Sequence, residues 1–331
     1  MNWRRGRSAT GDEPRCAGLR ERQRGEVMKV FITGGTGFVG SYLISRLADL
    51  GHEVTTVTRG AAGRTPRSGV SFIQGSTTAP GAWQQGVAGH DTVINLAGAS
   101  IFTRWTKDAR RSIIESRVLT TRNLVDAMAA CDPKPLLLST SAVGYYGSRE
   151  DDAIIDETSP PGDEFLTRVS VEWEAEARRA EAFGSRVALC RFGIILGRGG
   201  GALAKMAPAF KYMVGSVLGS GRQWFPWIHL EDVFQIVLFL MERRHISGPV
   251  NFTAPNPVTN EELSRELART FGKPLFMPAV PAFALRIILG EFGDVLLKGQ
   301  RAIPRRLLDE GYRFRFPELH GALADLLRDS R

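Results

Sequence analysis

The chain has 331 residues, 43% of them hydrophobic, which allows a sizeable buried core and about two domains of ordinary size. Its net charge of +8 is unevenly placed: residues 1–27 hold seven arginines and four acids, leaving only +5 on the other 304 residues and little pull toward a polyanionic partner. Cys16, Cys131 and Cys190 are dispersed and have no histidine at ligand spacing, so neither a disulfide framework nor a structural metal is expected. No apolar run approaches the ~20 residues of a membrane helix, the best stretch, "MPAVPAFALRIILG", being broken by Pro278, Pro281 and Arg286. A cytoplasmic protein without a membrane partner is the expectation.

Residues 1–27 lack both apolar periodicity and the apolar segment of a secretory signal, and their acids argue against a transit peptide. They read as a disordered basic leader, with Met28 as an alternative start. "KVFIT" then predicts a strand, and "FVGSYLISRLADLG" a helix with Leu43, Ile44, Leu47 and Leu50 on one face, ending at Gly51. "EVTTVT" and "DTVINLAG" follow as strands, then a helix from about Thr106 to Ala130, the strand "PLLLSTSA", a helix around "SVEWEAEARRAEAFG", and the strand "RVALCRFGIIL". Repeated strand–helix alternation predicts a Rossmann-type α/β fold, a doubly wound parallel sheet with helices on both faces, over 28–196. Residues 197–331 are expected to form a smaller substrate-side α/β region that returns strands to the sheet.

Between the first strand and helix, Gly34, Gly37 and Gly40 recur at three-residue spacing, and Gly35, Gly37 and Gly40 satisfy G-x-G-x-x-G. In that context glycine gives a tight turn, lets backbone approach a pyrophosphate, and brings the helix close to its strand with its N-terminus toward the phosphates. A turn that merely connects two elements is the alternative. The second strand ends "TVTRG": Thr58 and Arg59 stand where an acidic residue would bind ribose hydroxyls, which favours the 2′-phosphate of NADP(H).

The pattern T-G-x-x-G-x-x-G from Thr33, with "NLAG", "STSAVGYYG", "RFGIILG" and "WIHLEDV", resembles the extended short-chain dehydrogenase/reductase family of NAD(P)-dependent epimerases and dehydratases. "RWT", "SAVGYYG", "GGGALAKM", "GSGRQWFPWIH", "NPVTNEEL" and "GQRAIPRRLLDEGYRFRFPEL" are similar to an atypical subgroup with an extra C-terminal domain of unknown function, here 278–331. Its members are often labelled nucleoside-diphosphate-sugar epimerase-like or cell-division-inhibitor-like. The resemblance covers Met28 to Leu327. It implies cofactor contacts at Thr33, Gly34, Gly37, Phe38, Val39, Gly40, Leu96, Ala97, Gly98 and Ile195. Arg117 shares a helical face with Ile113, Ile114, Thr121, Leu124, Val125 and Met128, so it needs a partner there: cofactor phosphate or ribose, or an internal carboxylate.

Family enzymes pair a Ser or Thr with a Tyr-x-x-x-Lys whose tyrosine acts as general acid or base. Ser141 fits the serine, but alignment on Trp173 and Glu174 puts Leu166 and Ser170 at the tyrosine and lysine positions. Three readings follow. Tyr145 or Tyr146 substitutes, with Lys205 or His229 tuning a proton donor, although both tyrosines also read as packing aromatics and His229 as a structural residue. Alternatively, the chain binds NADP(H) without turnover, as a regulator or scaffold. RNA binding comes last, since aromatic and basic residues do not interleave. Arg222 and Gln223 are expected to contact an unknown small-molecule substrate, with a structural salt bridge as the alternative for Arg222. A protein partner or homo-oligomer is compatible with the basic, amphipathic C-terminal segment, as is interdomain packing.

Overall fold

A computed structural model describes residues 27–60, 67–149 and 151–328. Apart from Val27, the leader lies outside the described residues. Seven strands, β1 (Lys29–Thr33), β2 (Glu53–Thr58), β3 (Val70–Gln74), β4 (Thr92–Asn95), β5 (Leu136–Ala142), β6 (Val187–Phe192) and β7 (Gly248–Phe252), form one parallel sheet in the spatial order 3-2-1-4-5-6-7. Ile32 of β1 sits opposite Thr56 on one side and Ile94 on the other. The winding reverses between β1 and β4, where a doubly wound sheet opens a crevice at its carboxyl edge.

Consecutive apolar residues are what a sheet covered on both faces requires. Val30, Phe31 and Ile32 are all fully buried. Phe31 faces a core with Leu124, Val125 and Met128 of α2 (Lys107–Ala129) and Ala177 of α3 (Phe165–Arg178). Val30 and Ile32 face the other core, with Leu43 and Leu47 of α1 (Phe38–Asp49). Each such large apolar side chain contributes roughly 1.5–3 kcal/mol on burial. Leu50 departs from expectation: α1 ends at Asp49 and turns at Gly51 (φ 86°), leaving Leu50 exposed.

The segment "RVALCRFGIIL" is two strands, because Gly193 presses against the Pro226 carbonyl and turns the chain out of the sheet. Ile194–Leu196 then pairs in parallel with Trp227–His229. The two stretches lead to α4 (Gly201–Lys211) and α5 (Leu230–Glu242) respectively. A third core joins Leu203 and Phe210 of α4, Leu263 and Leu267 of α6 (Asn260–Thr270), Trp227, and Leu319 and Leu323 of the helix Leu319–Leu326. Thr259 caps α6: its N–H donates to Glu262 Oε2 at 2.7 Å while its hydroxyl accepts from the Glu262 N–H at 3.3 Å. Among the described residues no helix is long and apolar enough to cross a membrane, and no three His, Cys, Asp or Glu side chains are grouped to hold a metal.

Candidate active site

The glycine turn opens the site. Gly34 has φ 71°, and a Cβ there would lie 2.7 Å from the backbone of Leu96, the residue after β4. Gly40 is pressed on the Gly34 carbonyl, and Gly35 on Thr56 and Ile44, so the helix sits against the turn at a distance no side chain would permit. Gly37 is the N-cap of α1 and offers no side-chain acceptor to the first-turn N–H groups, which point to a ligand site.

A cleft of about 760 Å³ runs from this turn across the sheet edge. Gly34, Thr36 and Gly37 form its floor, Thr58 and Arg59 stand at one end, and Leu96, Ala97 and Gly98 lie along β4's exit. A second hollow of about 520 Å³ shares Thr36 and Gly37 and reaches Phe38, Ser41 and Gly200. Thr36, Ser76, Thr77 and Ser116 line these spaces, though the sequence reading did not single them out. The small polar run "GSTT" after β3 is the signal that could have located Ser76 and Thr77.

Several of the expected contact residues are engaged within the fold. Thr33 is buried, and its hydroxyl donates to Asn95 Oδ1 at 2.6 Å, so its side chain ties β1 to β4 rather than facing the cleft. Phe38 packs on Gly197, Gly200 and Gly201, holding the second glycine-rich turn on the first. Val39 leans on the sheet core, and so does Ile195, beside that second turn.

Among the described residues, Arg117 lacks the internal carboxylate that was one of its two expected partners. Its Nη1 donates to the Ile113 carbonyl at 3.0 Å, its Cζ lies 5.2 Å from the Trp173 ring, and the guanidinium packs beneath Gly98, 3.1 Å from where a Cβ would stand. Burial lowers its pKa to about 10. Most of its five donors are unspent, beneath Gly98 at the edge of the cleft.

The next strand carries a saturated network. Ser141 Oγ donates to Glu174 Oε1 at 2.7 Å, and Glu174 takes a bidentate pair from Arg191, at 2.8 Å from Nε and 2.9 Å from Nη2. Arg191 Nη1 donates to the Tyr146 hydroxyl at 2.9 Å, and that hydroxyl donates to Asn251 Oδ1 at 2.7 Å. The Asn251 N–H donates to Glu157 Oε1 at 2.9 Å. Burial raises Tyr146 to about 12, only partly offset by Arg191. Arg191 loses from burial, but Glu174 outweighs that and holds its pKa above the ordinary arginine value. Ser141 and Tyr146 are thus buried and spoken for, which corrects the expectation that they meet a substrate.

Tyr145 differs. Its ring stacks on Arg191, with Cζ 3.6 Å from the centroid, and its half-buried hydroxyl has no hydrogen-bond partner among the described residues. Leu166, at the expected tyrosine position, packs by Gly144, and Ser170 is buried. His229 is a helix cap: its Nδ1 accepts the Glu231 N–H at 3.0 Å, its ring stacks on Phe316 at 3.9 Å, and burial lowers its pKa to about 4 despite Asp325. Lys205 lies over Phe102, with Nζ 5.7 Å from the ring centroid. Gln223 spends its Nε2 on the carbonyls of Leu218 and Leu296, both at 3.0 Å, bracing a loop, while its buried Oε1 has no hydrogen-bond partner among the described residues. Arg222 is exposed, and the salt bridge that was the alternative to a substrate contact is not formed among the described residues.

Residues 30–251 match the NAD dependent epimerase/dehydratase family. The chain belongs to that family. Residues 280–326 match DUF1731, a domain of unknown function. The epimerase family protein YfhF of Bacillus subtilis is 37% identical over 307 residues, covering 92% of this chain and 99% of its own. The chloroplastic SDR39U1 homolog of Arabidopsis thaliana is 37% identical over 95% of this chain and 89% of its own. The crystal structure of human epimerase family protein SDR39U1, isoform 2, with NADPH superposes with a TM-score of 0.79 at 34% identity, over 91% of this chain and 100% of that one.

Proposed function

We propose that the protein is an NADP(H)-dependent oxidoreductase or epimerase-like enzyme for a small molecule, with Tyr145 handling the proton that a Tyr-x-x-x-Lys tyrosine handles in relatives. The observation that carries this reading is the division between adjacent tyrosines: Tyr146 is locked by Arg191 and Asn251, while Tyr145 keeps a free phenol on a ring that Arg191 holds in place.

The residues fit the dinucleotide. Gly34, Gly37 and Gly40 admit its pyrophosphate at the open start of α1, Arg59 answers the 2′-phosphate, and Arg117 offers unspent donors beneath Gly98. The human relative's NADPH supports the same assignment. When bound, the nicotinamide supplies or accepts a hydride; the chain's part is to orient the substrate and move the proton at Tyr145 Oη. Residues 28–196 form the cofactor side in this reading, and 197–331 the substrate side.

Incubating the purified protein with NADPH and a panel of aldehydes, ketones and keto sugars tests this. Oxidation of NADPH is expected, with a loss of about 100-fold or more in Tyr145→Phe. Unchanged turnover in that variant removes Tyr145 from the chemistry. The hydrogen-bonded state of Ser141 favours one other reading, a regulator that binds NADP(H) without turnover. Tight binding with no oxidation anywhere in the panel is its signature.

A further inference from the structure

Outside the residues that line the cleft, exposed large apolar side chains concentrate on two neighbouring segments. Tyr212, Val214, Phe276, Phe283, Ile287 and Ile288 are each 59–71% exposed. Met213, with φ 60°, and Met277 add to the same surface. They belong together because two segments run side by side: Ser216 Oγ donates to the Pro278 carbonyl at 2.5 Å, the Val280 N–H donates to the Val217 carbonyl at 2.8 Å, and Leu218 bridges to Val280. Two residues beyond Val280 the chain enters the helix Ala282–Leu289. That helix is apolar nearly all round. It fully buries only Leu285, while Phe283 and Ile287, one turn apart, share the outward face. Other exposed large apolar residues, such as Leu50, Ile154 and Val171, are scattered over separate elements. Single exposed residues of that kind are ordinary, whereas a contiguous patch marks a contact surface.

Charge indicates what covers the patch. The stretches 205–222 and 271–290 carry Lys205, Lys211, Arg222 and Lys273 and no acid, while their remaining cation, Arg286, is paired with Asp294. Glu291 and Asp294, the next acids along the chain, are engaged in ion pairs with Arg110 and Arg286. A two-fold contact with a second copy would bring basic rim toward basic rim. An anionic bilayer accepts both components, apolar side chains at the headgroup–acyl boundary and ammonium groups at the phosphates. We propose that this face docks the protein on the surface of an anionic phospholipid bilayer. The expectation of no membrane partner rested on the lack of a spanning segment, and peripheral docking needs none. The proposal is independent of whether the cleft turns over a substrate.

Flotation of the full-length protein with vesicles of phosphatidylcholine containing one-third phosphatidylglycerol, and with phosphatidylcholine alone, tests it. The protein is expected to float with the anionic vesicles, less so as salt is raised. The double variant Phe283→Ser/Ile287→Asp should lose about tenfold or more of the partition, and Lys211→Glu and Lys273→Glu about fivefold or more each. Val171→Asp, on α3, should float like the parent, and all variants should keep the parent's NADPH binding and unfolding midpoint. The proposal is overturned by absence of flotation with anionic vesicles. It is equally overturned by equal flotation of the double variant, which would assign binding to the arginine-rich leader. A concentration-dependent dimer in sedimentation velocity that the double variant abolishes would give the patch to a second copy instead.

Discussion

The two halves of the sheet edge are finished in opposite ways. From Gly34 to Gly98 the edge is backbone and small residues, with α1 uncapped by any side chain and Arg117 holding spare donors beneath Gly98. From Ser141 to Asn251 the edge is side chain bonded to side chain, with Glu174 and Arg191 at its centre. Buried polar groups left open are costly and imply a ligand, whereas groups that satisfy one another imply a scaffold. On the function proposed above, that difference assigns cofactor binding to the first half and proton transfer at Tyr145 to the second.

Glu174→Ala should break the closed half most severely. It strands the buried Arg191 cation, an expected loss of about 3–5 kcal/mol in denaturant unfolding. A loss under about 1 kcal/mol would mean that Arg191 finds another partner and that the network is not a scaffold. Gly40→Ala should break the open half. Its methyl would drive into the Gly34 carbonyl, so NADPH binding should fall by about tenfold or more with a smaller change in stability, read by titration and thermal unfolding of one preparation. Unchanged affinity would remove the glycine turn from the site.

These two residues were unequally legible in the sequence. Gly40 announces itself, since spacing within a few residues fixes a turn between a strand and a helix. Glu174 does not: its partners Ser141 and Arg191 come from neighbouring strands, and a lone Glu on a helix reads as solvated until β5 and β6 bring them to it. Arg117 was half legible. Its helical face predicted burial, but only the packed structure shows Ile113 and Trp173 around it and no carboxylate among the described residues. The tyrosines were legible as a pair, and their separate roles depended on Asn251, which lies 105 residues from Tyr146. Gln223 was half legible: a polar residue in a glycine-rich loop can also brace that loop, as its amide nitrogen does against Leu296.

Tyr146→Phe sharpens the contrast at smaller amplitude. Removing the hydroxyl leaves Arg191 Nη1 and Asn251 Oδ1 each without a strong partner, an expected loss of about 1–3 kcal/mol in unfolding. Tyr145→Phe should leave stability within about 0.5 kcal/mol. Reversed effects would exchange the roles assigned to the two tyrosines.

A further effect is a pH slope outside both halves. His229 titrates near 4 when folded and near its usual 6.5 when unfolded, so the unfolded chain binds more protons between those values. The stability that neutral His229 contributes is fully present above pH 6.5 and is lost as pH falls toward 4. His229→Gln should flatten the unfolding midpoint across that window. An unaltered slope would mean that Asp325 keeps the imidazole charged in the folded state.

The most direct test of the account is a fluorescence titration of the purified protein and of Arg59→Glu with NADPH and NADH. The account predicts that the parent binds NADPH more tightly than NADH, and that Arg59→Glu weakens NADPH by about tenfold or more while leaving NADH nearly unchanged. Equal affinity of the parent for both, or equal weakening of both in the variant, would contradict a 2′-phosphate site at Arg59 and with it the NADP(H) reading of the cleft.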